Sequence, residues 1–198
     1  MWRIGMTGSI ATGKSTVLKA FADLGVPVFS ADEAVAALYE GEAVAPVEAL
    51  FPGITTDGRI DRSLLSQRLA ADPSGFKRLE AVVHPLVCAR IARFMDDAEA
   101  QGHALAVVEV PLLFESGHDY GFDAVAVTWV DEAIQRQRAL ARPGMTSGKL
   151  ETILARQMPQ ADKKAHATYL FDTGLPIEQT VGQVADLVAE LRAKGPKQ

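Results

Sequence analysis

The sequence has little cysteine, no long apolar run and no excess of basic residues, and each shortage excludes a class of protein. The single cysteine, Cys88, excludes an internal disulfide and a cysteine-cluster metal site. Apolar stretches such as Ala124 to Val127 are far shorter than the ~18–20 residues that a membrane span requires. The net charge is −5, whereas nucleic-acid-binding domains are basic. We therefore expect neither a membrane nor a nucleic-acid partner.

The N-terminus also lacks the apolar segment of a secretory signal, because Thr7, Gly8, Ser9 and Lys14 interrupt it. A cytoplasmic protein is the simplest expectation. With 48% hydrophobic and 23% charged residues, the chain is expected to bury a sizeable core. Its length of 198 residues favours one domain, 1–198, with room for a small inserted lobe.

Short apolar runs alternate with helical patterns along the chain, which predicts an α/β fold. Trp2 to Met6 and Val28-Phe29 are predicted to be parallel strands, because a helix that begins at Ser15 joins them. Residues 32–101 are predicted to be a helical insertion, with punctuation at dipeptides such as His84-Pro85. Further strands are predicted at 105–110, 124–130 and 169–171, and further helices at 132–141, 149–158 and 177–193.

The strongest motif is Gly-Ser-Ile-Ala-Thr-Gly-Lys-Ser at residues 8–15, which matches the phosphate-binding loop G-x-x-x-x-G-K-[ST] at every fixed position. Consecutive backbone N–H groups of such a loop surround phosphate oxygens, and the following helix N-terminus adds partial positive charge. Lys14 is expected to reach the β- and γ-phosphates, and the Ser15 hydroxyl to ligate Mg²⁺. The predicted ATP-binding residues of this segment are Gly8, Ala11, Thr12, Gly13, Lys14, Ser15 and Thr16.

Three carboxylates follow predicted strands at the edge where open parallel sheets bind their ligands. Asp32 comes after the second strand, Glu109 near the end of the third, and Glu115 in the loop beyond it. Asp32 is the candidate general base, because a carboxylate beside the γ-phosphate can accept a hydroxyl proton. The alternative is that Asp32 caps a helix over 33–39. Glu109 lies in an apolar run, which favours a metal-binding or hydrogen-bonding role over an unpaired charge.

Two arginines and one histidine are further candidates. Arg138 and Arg142 are four residues apart on one face of a predicted helix, and the guanidinium fork suits phosphoryl oxygens. A mobile segment with such arginines can close over a transferring group, whereas the alternative is a solvated basic face. His84, before Pro85, is the one histidine in a distinctive local setting, and its alternative is a structural role.

Further stretches stand in a distinctive order and spacing. They are Ile4 to Gly8 leading into Gly13 to Thr16, Leu24 to Val28 leading to Asp32, Asp57 to Arg62, Leu79-Glu80 with His84-Pro85, Val110 to Glu115, Gln135 with Arg138 and Arg142, and Gln157, Lys163 and Gly174. Together they resemble the dephospho-coenzyme A kinase family nearly end to end. The resemblance is specific because His84-Pro85 and Pro-Leu-Leu-Phe-Glu are not features of P-loop kinases in general.

The resemblance implies that the γ-phosphoryl group of ATP is transferred, with the help of Mg²⁺, to the ribose 3′-hydroxyl of dephospho-CoA. The products are CoA and ADP, in the last step of CoA biosynthesis. It also implies a parallel-sheet P-loop kinase core with a helical CoA-binding insertion at about 32–101 and a lid at about 136–165. ATP and dephospho-CoA are the implied small-molecule partners, and no protein partner is implied.

The resemblance also assigns roles to single residues by their position. Asp32 matches the family's catalytic carboxylate, His84 falls at its substrate-binding His-Pro, and Arg138 falls in its lid. The predicted catalytic residues are thus Asp32, Lys14 and Arg138, and Arg142 joins the ATP-binding set. The predicted substrate-binding residues are Asp32, His84, Leu113 and Glu115, and Ser15 is the predicted metal ligand.

Five positions depart from the family pattern. Ser30 replaces the first Asp of an Asp-Ala-Asp triplet, and Ser9 and Ala11 replace loop glycines. A loop residue other than glycine is expected to be mildly strained wherever the loop needs a positive φ. Thr168 and Thr173 replace an Asp and an Asn near the last strand, which alters the contacts expected there. None of these changes removes Lys14, Ser15 or Asp32, so an active enzyme is predicted.

Two other functions fit the residues without the resemblance. One is another small-molecule P-loop kinase, with a nucleotide or nucleoside as acceptor. The other is an ATP-binding switch that transfers no phosphoryl group. A carboxylate at Asp32 and the arginines at 138 and 142 argue against a switch, because a switch needs no acceptor base.

Overall fold

The computed structural model describes residues 1–196, and the chain divides into two compact units. The first unit comprises Met1–Phe29 and the chain from Met95 onward, and the second comprises Ser30–Phe94. The strands are β1 (Trp2–Gly8), β2 (Val28–Ser30), β3 (Thr55–Thr56), β4 (Arg59–Ile60), β5 (Leu105–Glu109), β6 (Ala124–Trp129) and β7 (Tyr169–Asp172). The helices are α1 (Lys14–Asp23), α2 (Ala31–Leu38), α3 (Val44–Leu50), α4 (Arg62–Ala71), α5 (Gly75–Ala100), α6 (Glu132–Leu140), α7 (Ser147–Leu154), α8 (Gln160–Ala165) and α9 (Ile177–Lys194). No helix within residues 1–196 is both long and apolar enough to cross a membrane.

A five-stranded sheet in the order β2-β5-β1-β6-β7 forms the centre of the first unit. β1 pairs in parallel with β5 on one side and with β6 on the other, and β6 pairs in parallel with β7. After β1, the chain forms β2 and β5 on one side of it and then β6 and β7 on the other, so the strand order reverses at β1. Open α/β sheets bind their ligands at the carboxyl end of such a switch point. Gly8, the last residue of β1, lies there.

The core of the first unit forms where α1 and α9 pack on the sheet. Val17 and Phe21 of α1 and Val184 and Leu191 of α9 are fully buried. The Phe21 ring meets Phe171 of β7 edge to face, with 5.8 Å between centroids. Burial of each such side chain contributes about 1.5–3 kcal/mol. This apolar face therefore fixes α1, and with it the loop that leads into α1.

The second unit is helical apart from one hairpin, and its helices begin at identifiable caps. Ser30 caps α2, because its Oγ accepts a hydrogen bond from Glu33 N at 3.4 Å. The hairpin β3–β4 turns at Asp57 and Gly58, whose φ values of 50° and 75° suit a two-residue type I′ turn. Asp61 caps α4 by accepting hydrogen bonds from two backbone N–H groups of its first turn.

The predicted α/β class and parallel core are confirmed, and two local predictions differ from the structure. The predicted helix 149–158 is interrupted, because Pro159 disfavours a helical residue before it and instead leads into α8. α5 continues through Pro85, although proline removes one helical hydrogen bond. Val83 and Val87 on either side of it are buried, so packing holds the helix together there.

Candidate active site

The phosphate loop runs from Gly8 at the end of β1 to Lys14 at the start of α1, and backbone sterics explain its glycines. A Cβ added to Gly8 would lie 2.1 Å from Thr128 Oγ1, so only glycine allows β1 and β6 to approach here. Gly13 caps α1 with a φ of 82°, in the left-handed region that glycine adopts without penalty. Gly8 therefore allows β1 to lie close to β6, and Gly13 allows the backbone turn that leads into α1.

Ala11 carries the strain that the sequence predicted. Its φ is 61°, in the left-handed region, where a residue with a Cβ costs about 1–2 kcal/mol. The side chain is buried and belongs to a small apolar cluster with Ala139 of α6 and Leu150 of α7. The surrounding packing therefore holds the loop in a conformation that alanine does not favour by itself.

Lys14 lies with its ammonium group inside the loop. Its Nζ donates to the carbonyl oxygens of Gly8 at 2.9 Å and Ser9 at 3.4 Å. The partial positive charge of the α1 N-terminus adds to the charge of Lys14 at the same place. The loop therefore presents concentrated positive charge together with backbone N–H donors, as binding of phosphate requires.

A cavity of about 430 Å³ opens beside the loop within the first unit, and its volume is typical of a ligand site. It is lined by Ala11, Gly13, Ser15, Thr16, Arg138, Arg142, Thr173, Leu175, Ile177 and Thr180. Six of these are residues that the sequence predicted to bind ATP or to act in catalysis. The two guanidinium groups suit phosphates, and the exposed apolar side chains of Leu175 and Ile177 suit a base. The cavity therefore has the chemical character of a nucleotide site.

Arg138 is held against the loop by Thr173. Its two terminal nitrogens donate to Thr173 Oγ1 at 3.2 Å and to Thr173 O at 2.8 Å. Thr173 Oγ1 accepts from Arg138 and has one proton to donate, for which Thr12 O at 2.9 Å is a nearer acceptor than Trp129 O at 3.2 Å. Thr173, one of the departures from the family pattern, thus connects the arginine to the phosphate loop.

Asp32 is the second residue of α2, and its side chain is exposed. The alternative that Asp32 caps this helix is wrong, because Ser30 has the extended backbone of a cap and makes the capping bond. Asp32 lies in the first turn, where the helix N-terminus favours a negative charge. Its carboxylate is therefore not engaged as a cap.

His84 lies in a groove of about 390 Å³ within the second unit. The groove is lined by Val35, Tyr39, Phe76, Leu79, Glu80, Val83, His84 and Val87. His84 is half-buried, and its Nε2 lies 3.6 Å from Sγ of Cys88, one helical turn onward. Burial raises the pKa of the Cys88 thiol, so this cysteine is not an activated thiolate. The lining suits a largely apolar ligand with a few polar groups.

A family-level sequence profile, described as dephospho-CoA kinase, matches residues 2–177. The chain belongs to the dephospho-CoA kinase family. A dephospho-CoA kinase of Rhodopseudomonas palustris (strain HaA2) is 48% identical over 196 residues, which are 98% of each of the two chains. The resemblance inferred from short stretches of the sequence is therefore confirmed over nearly the whole chain.

Two solved structures are similar to this chain over nearly their whole length. A crystal structure from Thermus thermophilus matches with a TM-score of 0.81 and 30% identity, over 96% of both chains. A dephospho-CoA kinase from Campylobacter jejuni matches with a TM-score of 0.68 and 22% identity, also over 96% of both chains. The second likeness shows the fold alone. The fold is thus common to all three chains.

Glu115 ends the Pro-Leu-Leu-Phe-Glu stretch that carried part of the resemblance to the dephospho-CoA kinase family, and it forms an ion pair. Its Oε1 lies 2.7 Å from Lys163 Nζ in this ion pair and accepts a hydrogen bond from Met158 N, also at 2.7 Å. Burial alone raises the pKa of the Glu115 carboxyl, but the bonds from Lys163 and Met158 outweigh burial and hold the pKa below its ordinary value. Lys163 is fully buried. The sequence did not predict this pair, and substrate binding by Glu115 stays a prediction.

Glu109 ends β5, and Leu113 lies in the segment that follows this strand. Leu113 is buried and lines a separate cavity of about 280 Å³ with aromatic neighbours such as Phe114 and Tyr120. Its role in substrate binding also stays a prediction. Glu109 is the last residue of β5, opposite Met6 of β1, and is 7% exposed. It thus lies at the edge where the sequence expected it.

Sequence reasoning named Gln135 and Gln157 only as part of the resemblance and missed their role, which is to support the loop from α6 and from the segment between α7 and α8. Gln135 of α6 is 3% exposed, and its Nε2 donates to Ile10 O of the loop at 2.8 Å. Gln157 accepts a hydrogen bond from Ile10 N at 2.9 Å. One signal existed, because Gln135 shares the buried face of α6 with Ala139, and a glutamine on an apolar face needs partners.

Proposed function

We propose that this chain transfers the γ-phosphoryl group of ATP to the ribose 3′-hydroxyl of dephospho-CoA and so produces CoA and ADP. One observation carries the proposal: a complete phosphate loop borders a cavity of about 430 Å³ in a member of the dephospho-CoA kinase family. The loop and cavity support ATP as the phosphoryl donor. Family membership supports the acceptor.

Lys14 and Arg138 stabilise the charge that spreads over the transferring phosphoryl group, and Arg142 contributes to ATP binding. The support is that both arginines line the same cavity as Ser15 and Thr16 of the loop. Arg138 is already oriented by Thr173, so little reorganisation is needed when charge develops. Preorganised donors of this kind account for a large share of catalysis in phosphoryl transfer.

Asp32 acts as the general base. The ribose oxygen forms a bond to the γ-phosphorus while the bond between that phosphorus and the β–γ bridging oxygen breaks, and the hydroxyl proton moves to the Asp32 carboxylate. ADP leaves with the electrons of the broken bond. The support for Asp32 is its exposed carboxylate, which makes no capping bond in the first turn of α2. General bases of this kind contribute roughly 10²–10⁴-fold.

Ser15 is the proposed Mg²⁺ ligand. Its side chain is exposed and borders the cavity, and its hydroxyl oxygen is the kind of hard donor that Mg²⁺ prefers. Mg²⁺ normally binds one or two protein oxygens together with phosphate oxygens and water, so one hydroxyl fits. When bound, the ion would neutralise phosphate charge.

The second unit binds the acceptor. Dephospho-CoA has a long, mostly apolar arm with amide groups, and the groove around His84 combines apolar walls with one imidazole and one carboxylate. A ligand of this kind needs few polar contacts to fix its orientation. His84 supplies such a contact, and Leu113 and Glu115 remain predicted as further substrate ligands. The cytoplasm, where ATP is abundant, is the proposed location.

The test is ADP release with Mg-ATP and each of four conditions: dephospho-CoA, AMP, a nucleoside, or no acceptor. We expect stimulation by dephospho-CoA alone and a product one phosphoryl group heavier by mass spectrometry. Stimulation by AMP or a nucleoside instead would show a different small-molecule kinase. ATP binding without stimulation by any acceptor would favour the switch.

A further inference from the structure

The peptide of Ile10, in the middle of the phosphate loop, is held on both of its polar sides by glutamine side chains. Ile10 N donates to Gln157 Oε1 at 2.9 Å, and Gln135 Nε2 donates to Ile10 O at 2.8 Å. Gln135 lies on α6 and Gln157 between α7 and α8. We call Gln135 and Gln157 the glutamine clasp.

Two further hydrogen bonds, both made by Gln160, fix the orientation of the buried side-chain amide of Gln135. Val130 N can only donate, and it donates to Gln160 Oε1 at 3.2 Å. Gln160 must therefore turn its NH₂ toward Gln135, whose Oε1 accepts that bond at 2.8 Å. Gln135 then has only its own NH₂ left for Ile10 O. Backbone groups at both ends thus dictate one direction for the whole chain of amides, from Val130 to Ile10.

The position of the clasp connects it to the phosphate contacts. Ile10 directly precedes Ala11, the residue with φ 61°, which lines the nucleotide cavity. The Ile10 side chain packs with the apolar cluster around Leu150 of α7. Both the backbone and the side chain of Ile10 are therefore tied to the segment 132–157. If these ties are lost, the strain at Ala11 favours rotation of the loop away from its present shape.

We infer that Gln135 and Gln157 are positioning residues that hold the phosphate loop in its ATP-binding conformation and couple it to the α6–α8 segment. They act through the Ile10 peptide and not by touching the nucleotide. The kinetic consequence rests on the proposed function, whereas the effect on ATP affinity does not. Because Gln135 must donate to Ile10 O and accept from Gln160 at once, a carboxylate cannot replace it at neutral pH.

The decisive variant is Gln135→Glu, compared with Gln137→Glu as a control. Gln137 is exposed on the same helix, so the control carries the same charge change without the clasp. We expect Gln135→Glu to weaken binding of a fluorescent ATP analogue, and to raise the KM for ATP, about tenfold at pH 8, with the KM for dephospho-CoA unchanged. As the pH falls, the introduced carboxyl regains a proton that it can donate to Ile10 O, so the ratio of variant to wild-type affinity should approach one. A purely structural defect would not recover in this way.

Gln157→Leu is the second variant, because Gln157 is less buried than Gln135 and its replacement does not open the core. We expect a smaller loss of ATP-analogue affinity, about threefold to tenfold, that does not change with pH. The inference is overturned if Gln135→Glu and Gln157→Leu both bind the analogue like the wild type. It is also overturned if the loss in Gln135→Glu is independent of pH, or if the losses of both variants only follow a matching loss in thermal stability. The binding titration uses no acceptor, so failure of the proposed acceptor would leave this test intact.

Discussion

The phosphate loop of the first unit and the groove around His84 in the second unit are built from different chemical groups. In the first unit, the phosphate loop relies on the backbone of residues 8–15, with glycines where a Cβ would clash or φ is positive. In the second unit, the groove of about 390 Å³ is lined by side chains of α2 and α5. A backbone-built site leaves a strict spacing in the sequence, whereas a groove between helices leaves only ordinary helical periodicity. This difference explains why ATP can be predicted from residues and the acceptor only from resemblance.

The largest effect is expected from a residue of the second unit. It tests whether phosphoryl transfer can be lost while the phosphate loop of the first unit still binds ATP. Asp32→Asn should lower kcat by roughly 10²–10⁴-fold while the ATP analogue still binds normally, because the phosphate loop is unchanged. Stopped-flow measurement of ADP release together with analogue titration checks both. Glu33→Gln, an exposed neighbour in the same turn, is the control and should behave as the wild type. Near-normal turnover of Asp32→Asn would refute the general-base role.

A change in the phosphate loop of the first unit should instead impair the use of ATP. Lys14→Ala should reduce kcat/KM for ATP by about 10²–10³-fold, because the charge next to the β- and γ-phosphates is lost. The KM for dephospho-CoA should change little. Lys19→Ala, on an exposed part of α1, provides the control. An unchanged rate for Lys14→Ala, measured by steady-state kinetics, would contradict the assignment of the loop.

The buried pair Lys163–Glu115 predicts a loss of stability in the first unit. Lys163→Met leaves the Glu115 carboxylate without its cation and should lower the free energy of unfolding by about 3 kcal/mol, near the lower end for a broken buried pair because Glu115 is 15% exposed. Urea unfolding followed by circular dichroism measures this. A loss below about 1 kcal/mol would mean that the pair behaves like a surface ion pair.

The same pair predicts a pH dependence. The pKa of Glu115 in the folded protein lies below its ordinary value, so its contribution to stability is fully present above about pH 4.3 and is lost as the pH falls through the lower, folded value. Wild-type stability should therefore fall more steeply in this acid range than that of Glu115→Gln. Glu178→Gln, at an exposed position of α9, should keep the wild-type slope.

The smallest effect is expected at the groove around His84, the proposed acceptor site. His84→Ala should raise the KM for dephospho-CoA about twofold to tenfold, as the loss of one hydrogen bond does, with the KM for ATP unchanged. Cys88→Ala removes the sulfur next to the imidazole but keeps the ring, so it should leave both constants unchanged. If His84→Ala changes neither KM and the protein remains folded, His84 has a structural role.

The sequence predicted the fold and the family well, and the supporting contacts of the candidate site poorly. The α/β class, the positions along the chain of the strands of the central sheet and the place of the loop follow from apolar periodicity and one spaced motif. The pair Lys163–Glu115, the bond of Thr173 to Arg138 and the glutamine clasp join residues far apart in the chain. No local pattern reports such pairings, because each depends on how helices and loops meet after folding. The catalytic and binding roles of Asp32 and His84 stay predictions.

The left-handed backbone of Ala11 has a consequence for how replacements at this position should be interpreted. Glycine would relieve about 1–2 kcal/mol of strain in the folded loop, but it would also give the unfolded chain more conformational freedom, which costs about 0.4–1 kcal/mol. The second effect offsets about half of the first, so replacing alanine by glycine would change the free energy of unfolding by only about 1 kcal/mol. The two residues differ in the backbone freedom of the folded loop: alanine restricts the backbone at position 11, and glycine makes it more mobile. A glycine-poor phosphate loop can therefore be a stiffer loop, and its composition alone is no sign of a degenerate nucleotide site.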